Sequence, residues 1–325
     1  MKKTFKISGI VFLILLAVVA IAGIYVKTAL PNTGPAPQLT IERTPERIKR
    51  GEYLANHVTV CMDCHSTRAT DLYSGPLVEG NFGGGGEKFD KSMGFPGNFY
   101  SRNITPYGLG SWTDGEIFRA VTTGVNKDGK ALFPVMPYHA YGQIDTEDIY
   151  SIIAYLRTLE PVKNDPPSSE ADFPVNFIIN TMPSAATPGK RPADNDLIAK
   201  GKYLATAAAC VECHSKMDKG AKIPGSEYGG GMEFASPAGI VRSPNITSDK
   251  KTGIGQWTEE AFVKRFKTFA DSGYIPHPVG LKDMNTPMPW MMYAGMEEND
   301  LKAIYAYLQS LEPIDHQVTK FTAAK

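Results

Sequence analysis

At 325 residues with 42% apolar side chains, the chain can bury the core of one large domain or two ordinary ones, which excludes disorder as its default state. Its 34 basic and 34 acidic residues cancel and alternate along the sequence. That balance excludes the basic excess of a nucleic-acid binder and leaves no single-sign tail to explain.

The first predicted element lies at the N-terminus. Met1-Lys2-Lys3-Thr4-Phe5-Lys6 precedes 20 uncharged residues, Ile7 to Val26, about the length a helix needs to cross a hydrocarbon core. Three lysines before this run and Lys27 after it predict an anchor in the inner membrane, with the N-terminus in the cytoplasm and the remainder facing the periplasm. A cleaved signal peptide is the rival, since Ala20-Ile21-Ala22 resembles a cleavage site, but the apolar run continues past it. Residues 1–30 are assigned to this segment and 31–43, containing "PNTGPAP", to a stiff spacer.

Next, Thr44-Pro45 predicts a capped helix running through Tyr53-Leu54. "CMDCHS" (Cys61 to Ser66) follows, then the glycine-rich "FGGGGEKF" (Phe82 to Phe89) and Asn103-Ile104-Thr105. Thr113 and Glu116 make a capping box for a helix through Phe118 and Val121. Beyond Met136-Pro137-Tyr138, a helical stripe of Ile149, Ile152, Ile153, Leu156 and Leu159 stops before Pro161. That spacing is ordinary core packing and carries no information about cofactors.

The series then repeats. "RGEYLA" at Arg50 returns as "KGKYLA" at Lys200, "CMDCH" as "CVECH" at Cys210, Asn103-Ile104-Thr105 as Asn245-Ile246-Thr247, and Trp112-Thr113 as Trp257-Thr258. "MPY" returns as "MPW" at Met288, and "IIAYLRTLEPV" as "IYAYLQSLEPI" at Ile304. Matched blocks in one order predict two tandem copies, residues 44–162 and 196–318, joined by a linker over 163–195. "FPVNFII" in that linker is too apolar to float freely and should pack on one or both copies. Strands are scarce in this reading. Each copy is expected to be all-α, with helices separated by long loops, and something other than side chains should fill its centre.

The four cysteines all fall in the two C-x-x-C-H motifs, the attachment signature of c-type haem. Thiols three positions apart on a helical turn face the same way and can bond to two vinyl groups of one porphyrin, and the next residue presents its imidazole to the iron. Cys61, Cys64 and His65 would hold one haem c; Cys210, Cys213 and His214 would hold a second. A disulfide or thioredoxin-like pair lacks the βαβ surroundings, and zinc ribbons space their pairs far more closely than the 149 residues here. The glycine-rich stretch lacks the lysine and hydroxyl of a P-loop and recurs as "YGGGMEF" (Tyr228 to Phe234), so it reads as a tight loop of the copy.

With "NIT…GxWT…MPY…YLxxLEP" in this order, each copy resembles a cytochrome c domain, and residues 44 to 314 are similar to the multihaem cytochrome c subunits of membrane-bound alcohol and gluconate dehydrogenases. Those subunits resemble three domains in a row, whereas two copies are present here. The resemblance implies two class I-like cytochrome c folds, with Gly51 and Gly201 where the N- and C-terminal helices cross. It also places the sixth iron ligand at the "MPY" position, hence at Met136 and Met288, although Met284, Met291 and Met292 crowd the second. Core packing is the ordinary use of such methionines. Of the remaining histidines, His57 reads as a loop or supporting residue, His139 as a surface or supporting residue, and His277 and His316 as solvated. Trp112 and Trp257 are candidates to donate indole N–H bonds to haem propionates, against plain packing.

The function expected is single-electron transfer without catalysis, from a periplasmic dehydrogenase or other donor to a cytochrome or oxidase acceptor of the respiratory chain. A dihaem cytochrome c peroxidase is one rival, and it needs an iron position that opens; the other is a haem c subunit of a terminal oxidase complex.

Overall fold

The computed structural model describes residues 2–218 and 220–324. Lys2–Thr28 is one helix, and its segment Phe5–Thr28 has mean hydropathy 3.0 with its apolar side chains exposed, long and apolar enough to cross a membrane.

In the first half, Thr44 Oγ1 accepts the Arg47 N–H and starts the helix Pro45–Tyr53. The capping box of Thr113 and Glu116 starts Asp114–Thr123, and Asp145 caps Thr146–Leu156. The second half follows with Leu197–Ala207, Glu259–Lys267 and Glu298–Ser310. In each half the first and last helices cross at the expected glycine. A side chain at Gly51 would overlap the Ser151 carbonyl, and one at Gly201 the Ala303 carbonyl.

The expected all-α architecture is overturned. The chain is 39% helical and 9% strand, with three small sheets. Lys88–Phe89, Gly97–Tyr100 and Glu170–Ala171 form one antiparallel sheet, with Phe89 opposite Phe99 and Gly97 opposite Ala171. Glu233–Ser236, Gly239–Arg242 and Phe321–Ala323 form another, with Phe234 opposite Val241 and Ile240 opposite Thr322. Met217–Asp218 and Ala221–Lys222 make a short ribbon. The physical cause is backbone satisfaction: long packed loops need partners for their N–H and C=O groups, and ladders of two to four residues provide them. In both larger sheets the third strand comes from beyond the half's last helix, so the chain returns to close each half over its glycine-rich loop.

One hydrophobic cluster runs through both halves, from Leu54, Val58, Ile149 and Ile153 to Leu204, Met296, Leu301 and Leu308. Two of the polar contacts between the halves are reciprocal. Tyr53 OH donates to Asp300 Oδ2 (2.6 Å) and accepts the Glu297 N–H (3.1 Å). Tyr203 OH donates to Asp148 Oδ2 (2.7 Å) and accepts the Asp145 N–H (3.0 Å). Each aspartate is also held within its own half, Asp148 by Arg50 and Asp300 by Lys200. Burial pushes both phenols upward, and the hydrogen bonds to aspartate push them further, so both stay protonated donors.

Candidate haem sites

Each C-x-x-C-H motif begins where the chain breaks out of its preceding helix through a left-handed residue, Val60 (φ 46°) and Ala209 (φ 51°). Such a conformation costs an L-residue roughly 1–2 kcal/mol, so something must hold it. In the first half Tyr141 OH donates to the Thr59 carbonyl (2.8 Å), and in the second Tyr293 OH donates to the Ala208 carbonyl (2.8 Å). Both tyrosines sit on the short helical turns that follow the predicted methionines, Tyr138–Tyr141 and Trp290–Tyr293. The "MPY" turn is thus tied to the cysteine motif of its own half. Burial raises the Tyr141 and Tyr293 phenols, and the neighbouring thiols of the same motif raise them further.

Cys61–Cys64 and Cys210–Cys213 each form one helical turn, closed by the His65 N–H on the Cys61 carbonyl and the His214 N–H on the Cys210 carbonyl. The four thiols are free; Cys61, Cys64 and Cys210 are half-buried and Cys213 is exposed. Burial pushes Cys64 and Cys210 up to about 12 and raises Cys61. Three or more His, Cys, Asp or Glu side chains do not converge among the described residues, as a zinc site would require.

The two histidines of the motifs are each bonded through one ring nitrogen. His65 Nδ1 lies 2.6 Å from the Arg102 carbonyl and His214 Nδ1 lies 2.9 Å from the Pro244 carbonyl. A carbonyl only accepts, so Nδ1 carries the proton and the Nε2 lone pair is free. Burial also lowers both imidazoles, the carbonyl bonds offsetting it in part, which favours the neutral form. The glycine-rich loops explain how these carbonyls are positioned. Gly85 (φ 73°) donates its N–H to the His65 carbonyl, and a Cβ there would lie 2.5 Å from the Arg102 carbonyl carbon. Gly230 (φ 73°) does the same with His214 and Pro244, again at 2.5 Å. Buried Ser66 and Ser215 receive the N–H groups of Gly83 and Tyr228 in these loops. Two thiols on one turn with partial solvent access, followed by an imidazole bonded through Nδ1 with Nε2 left free, fit a covalently attached porphyrin in each half.

The methionines are less sharply separated. Met136 and Met288 are half-buried at the heads of their turns, with the Tyr138 and Trp290 N–H groups returning to their carbonyls at 2.8 Å. Of the crowding residues, Met292 belongs to the hydrophobic cluster and Met284 is exposed, leaving Met291 half-buried beside Met288. Asn103 and Asn245 are structural, each bonding the Thr two positions on and a carbonyl beyond the last helix. Trp112 packs against the core and Trp257 is 40% exposed.

His139 is on the surface as expected, near Ser184. His57 instead reaches across to the Met292 carbonyl of the other half (3.0 Å). His277 is exposed but stacks on Tyr73 of the first half (4.8 Å), and His316 is half-buried with Nδ1 2.8 Å from the Gly229 carbonyl, so neither is simply solvated. The residues that sequence reasoning passed over are Tyr141 and Tyr293, the Tyr53–Asp300 and Tyr203–Asp148 pairs, and Gly85 and Gly230. The signal was present, because the tyrosines and aspartates recur in register at offsets of 150 to 152.

Residues 198–312 match the family model described as Cytochrome c. The second half thus matches a cytochrome c domain, a type of domain that implies covalently bound haem c. The family model matches one cytochrome c domain, where two in tandem were expected. The chain as a whole is similar to cytochrome c subunits of dehydrogenases. It is 27% identical over 307 residues to the cytochrome c subunit of the quinone alcohol dehydrogenase of Gluconacetobacter polyoxogenes, covering 89% of this chain and 61% of that protein. It is 30% identical over 276 residues to the fructose dehydrogenase cytochrome subunit of Gluconobacter japonicus, covering 81% and 52%. A diheme cytochrome c-type protein of Cereibacter sphaeroides is 25% identical over 270 residues, covering 78% and 83%. The chain spans about three-fifths of the length of the alcohol dehydrogenase subunit it matches.

Proposed function

We propose that the chain is a membrane-tethered dihaem c-type cytochrome that passes single electrons from a periplasmic dehydrogenase or other donor to an acceptor of the respiratory chain. Cys61, Cys64 and His65 would hold one haem, with Met136 as its sixth ligand; Cys210, Cys213 and His214 would hold the other, with Met288. The helix Lys2–Thr28 would anchor the protein in the inner membrane, with both haem sites on the periplasmic side. The observation that carries this reading is the repeated support of two histidines by backbone carbonyls, with Nε2 left free, each next to a pair of free thiols on one helical turn.

Bound haem supplies an iron that cycles between ferric and ferrous states. The protein's part is to hold the coordination constant, so that little rearranges when the electron arrives. His65 and His214 are fixed in tautomer and orientation by the Arg102 and Pro244 carbonyls, and the methionine turns are pinned through Tyr141 and Tyr293. The likeness to subunits of alcohol, fructose and gluconate dehydrogenases supports a dehydrogenase donor.

A potentiometric titration of the full-length haem-loaded protein, followed by absorption, tests the proposal. Two one-electron waves at positive potential, each with the spectrum of a methionine-ligated haem, are expected. One high and one very low wave would remove Met136 or Met288 from the ligand set and put a peroxidase-type pair of unlike sites in its place.

A further inference from the structure

The segment after the first half's last helix does not simply link the halves. It returns to the N-terminal helix. The Phe177 ring lies against Gly23, where a Cβ would meet its Cζ at 3.2 Å, and Asn180 Nδ2 donates to the Val26 carbonyl (3.3 Å). That carbonyl is among the last of its helix and has no partner within it, and in or near a bilayer an unpaired carbonyl is costly. Gly23 lies five residues before Thr28, about 7 Å down the helix axis at a rise of 1.5 Å per residue. The ring is therefore level with the last turns of the stretch Ile7 to Val26, whose 20 uncharged residues match a hydrocarbon core of about 30 Å.

Around this contact the segment presents apolar side chains outward. Phe173 is 83% exposed, Phe177 42% and Ile178 41%. Single exposed hydrophobics are common on protein surfaces, but three beside a spanning helix are not independent of it. No Asp, Glu, Lys or Arg occurs from Phe173 to Gly189, a run of 17 residues flanked by Asp172 and Lys190. The segment is also braced, because Glu170–Ala171 pairs with Gly97–Asn98 of the first half.

We infer that residues 173–182 form a second membrane-contacting element, which seats Phe173, Phe177 and Ile178 in the lipid leaflet from which the N-terminal helix emerges. Its occupant is the acyl-chain boundary of a phospholipid bilayer, where aromatic rings beside a spanning helix are favoured. The inference rests on the reading of Lys2–Thr28 as a retained anchor. Its consequence is that the first half is held by two points, a helix and a braced segment, and so is fixed in height and orientation over the membrane.

The test uses the full haem-loaded chain in phosphatidylcholine vesicles that contain a phospholipid with a photoactivatable diazirine in its acyl chain. After irradiation, adducts are mapped by mass spectrometry. Adducts within 173–182 as well as within 7–26 are expected. The combined substitution Phe173→Ser, Phe177→Ser and Ile178→Ser should abolish the former and leave the latter, with the haem spectrum unchanged as a check on folding. Adducts confined to 7–26 in the unsubstituted protein overturn the inference and leave the anchor standing. Adducts in neither segment overturn the anchor reading itself, and adducts at 173–182 that survive the substitution show that these side chains are not what seats it.

Discussion

The turns that carry Met136 and Met288 are tied to their cysteine motifs by the same tyrosine hydrogen bond, yet they are braced from outside by different parts of the chain. Over the first turn runs the linker: the Thr187 and Gly189 N–H groups bond the Gly142 and Gln143 carbonyls. Over the second lies the first half itself. Ser74 Oγ donates to the Met288 carbonyl (2.7 Å) and accepts the Trp290 N–H (3.1 Å), while Asn285 bridges back to Ser74, Thr70 and Leu72. His57 adds a contact to the Met292 carbonyl. Equal chemistry at the two sites thus rests on unequal support. The first site depends on a local segment, and the second depends on the presence of the first half. One contiguous hydrophobic cluster across both halves points the same way.

The most severe way to break the likeness is to remove one attachment site. Replacing Cys61 and Cys64 together by Ala, or Cys210 and Cys213 together, should each leave half the covalent haem per chain, read by intact mass and by haem absorbance. If one pair can be lost with no change in haem content, only the other motif carries haem and the two-haem reading fails. Because Met288 is braced by the loop before the first glycine-rich stretch, the loss at Cys61 and Cys64 should also disturb the remaining haem more than the reverse pair does. A change in the surviving spectrum for both or neither would contradict the unequal bracing.

A second break acts on the carbonyls that orient the histidines. Gly85→Ala and Gly230→Ala each place a Cβ against the Arg102 or Pro244 carbonyl at a left-handed position. Each should cost on the order of 2–3 kcal/mol of stability, measured by chemical denaturation. Each should also shift the potential of one haem, because the His65 or His214 acceptor moves. A loss of stability with both potentials unmoved would mean that these glycines serve only the fold.

Much of this design was legible in the sequence. Thr44-Pro45 and the Thr113–Glu116 capping box appear where the residues put them, since caps are local and chemically specific, and Gly51 and Gly201 lie at the helix crossings that the family resemblance implied. The sheets were not legible. Lys88–Phe89 and Glu170–Ala171 are two residues each, too short for alternation to show, and the pairing of Glu170–Ala171 with Gly97–Asn98 joins positions about 70 residues apart. The C-x-x-C-H motifs announced themselves, while the Arg102 and Pro244 carbonyls that orient the histidines could not, because a backbone acceptor leaves no trace in residue type. His316 was misread for a similar reason, as its partner is the Gly229 carbonyl.

Ser74→Ala sharpens the difference in bracing. It removes a buried hydroxyl that serves one acceptor and one donor of the Met288 turn, and should cost about 1–3 kcal/mol. The potential or spectrum of the second haem should change while the first is unaffected. The control is Met288→Leu: if that leaves the second haem's spectrum intact, Met288 is not its ligand and the serine result speaks only to packing.

The smallest expected difference lies in the reciprocal tyrosines. Hydrogen bonds to a charged acceptor contribute about 1.5–3 kcal/mol, so Tyr53→Phe and Tyr203→Phe should both destabilise, but not equally. Asp148 loses Tyr203 and retains a two-pronged bond from Arg50, at 3.0 and 2.8 Å, with Arg191 at 3.7 Å. Asp300 loses Tyr53 and retains a single ammonium, Lys200 at 2.7 Å. Both carboxylates are nearly inaccessible, with side-chain exposures of 3% and 5%, so water cannot readily replace the missing donor. A guanidinium satisfies both oxygens of a carboxylate where an ammonium acts as a point charge. Tyr53→Phe should therefore be the costlier change by about 1 kcal/mol, and Lys200→Arg should narrow the gap. Equal costs for the two tyrosines, measured by denaturation of the haem-loaded protein, would mean that the second half compensates by a route other than Lys200, and the contrast between Arg50 and Lys200 would carry no energetic weight.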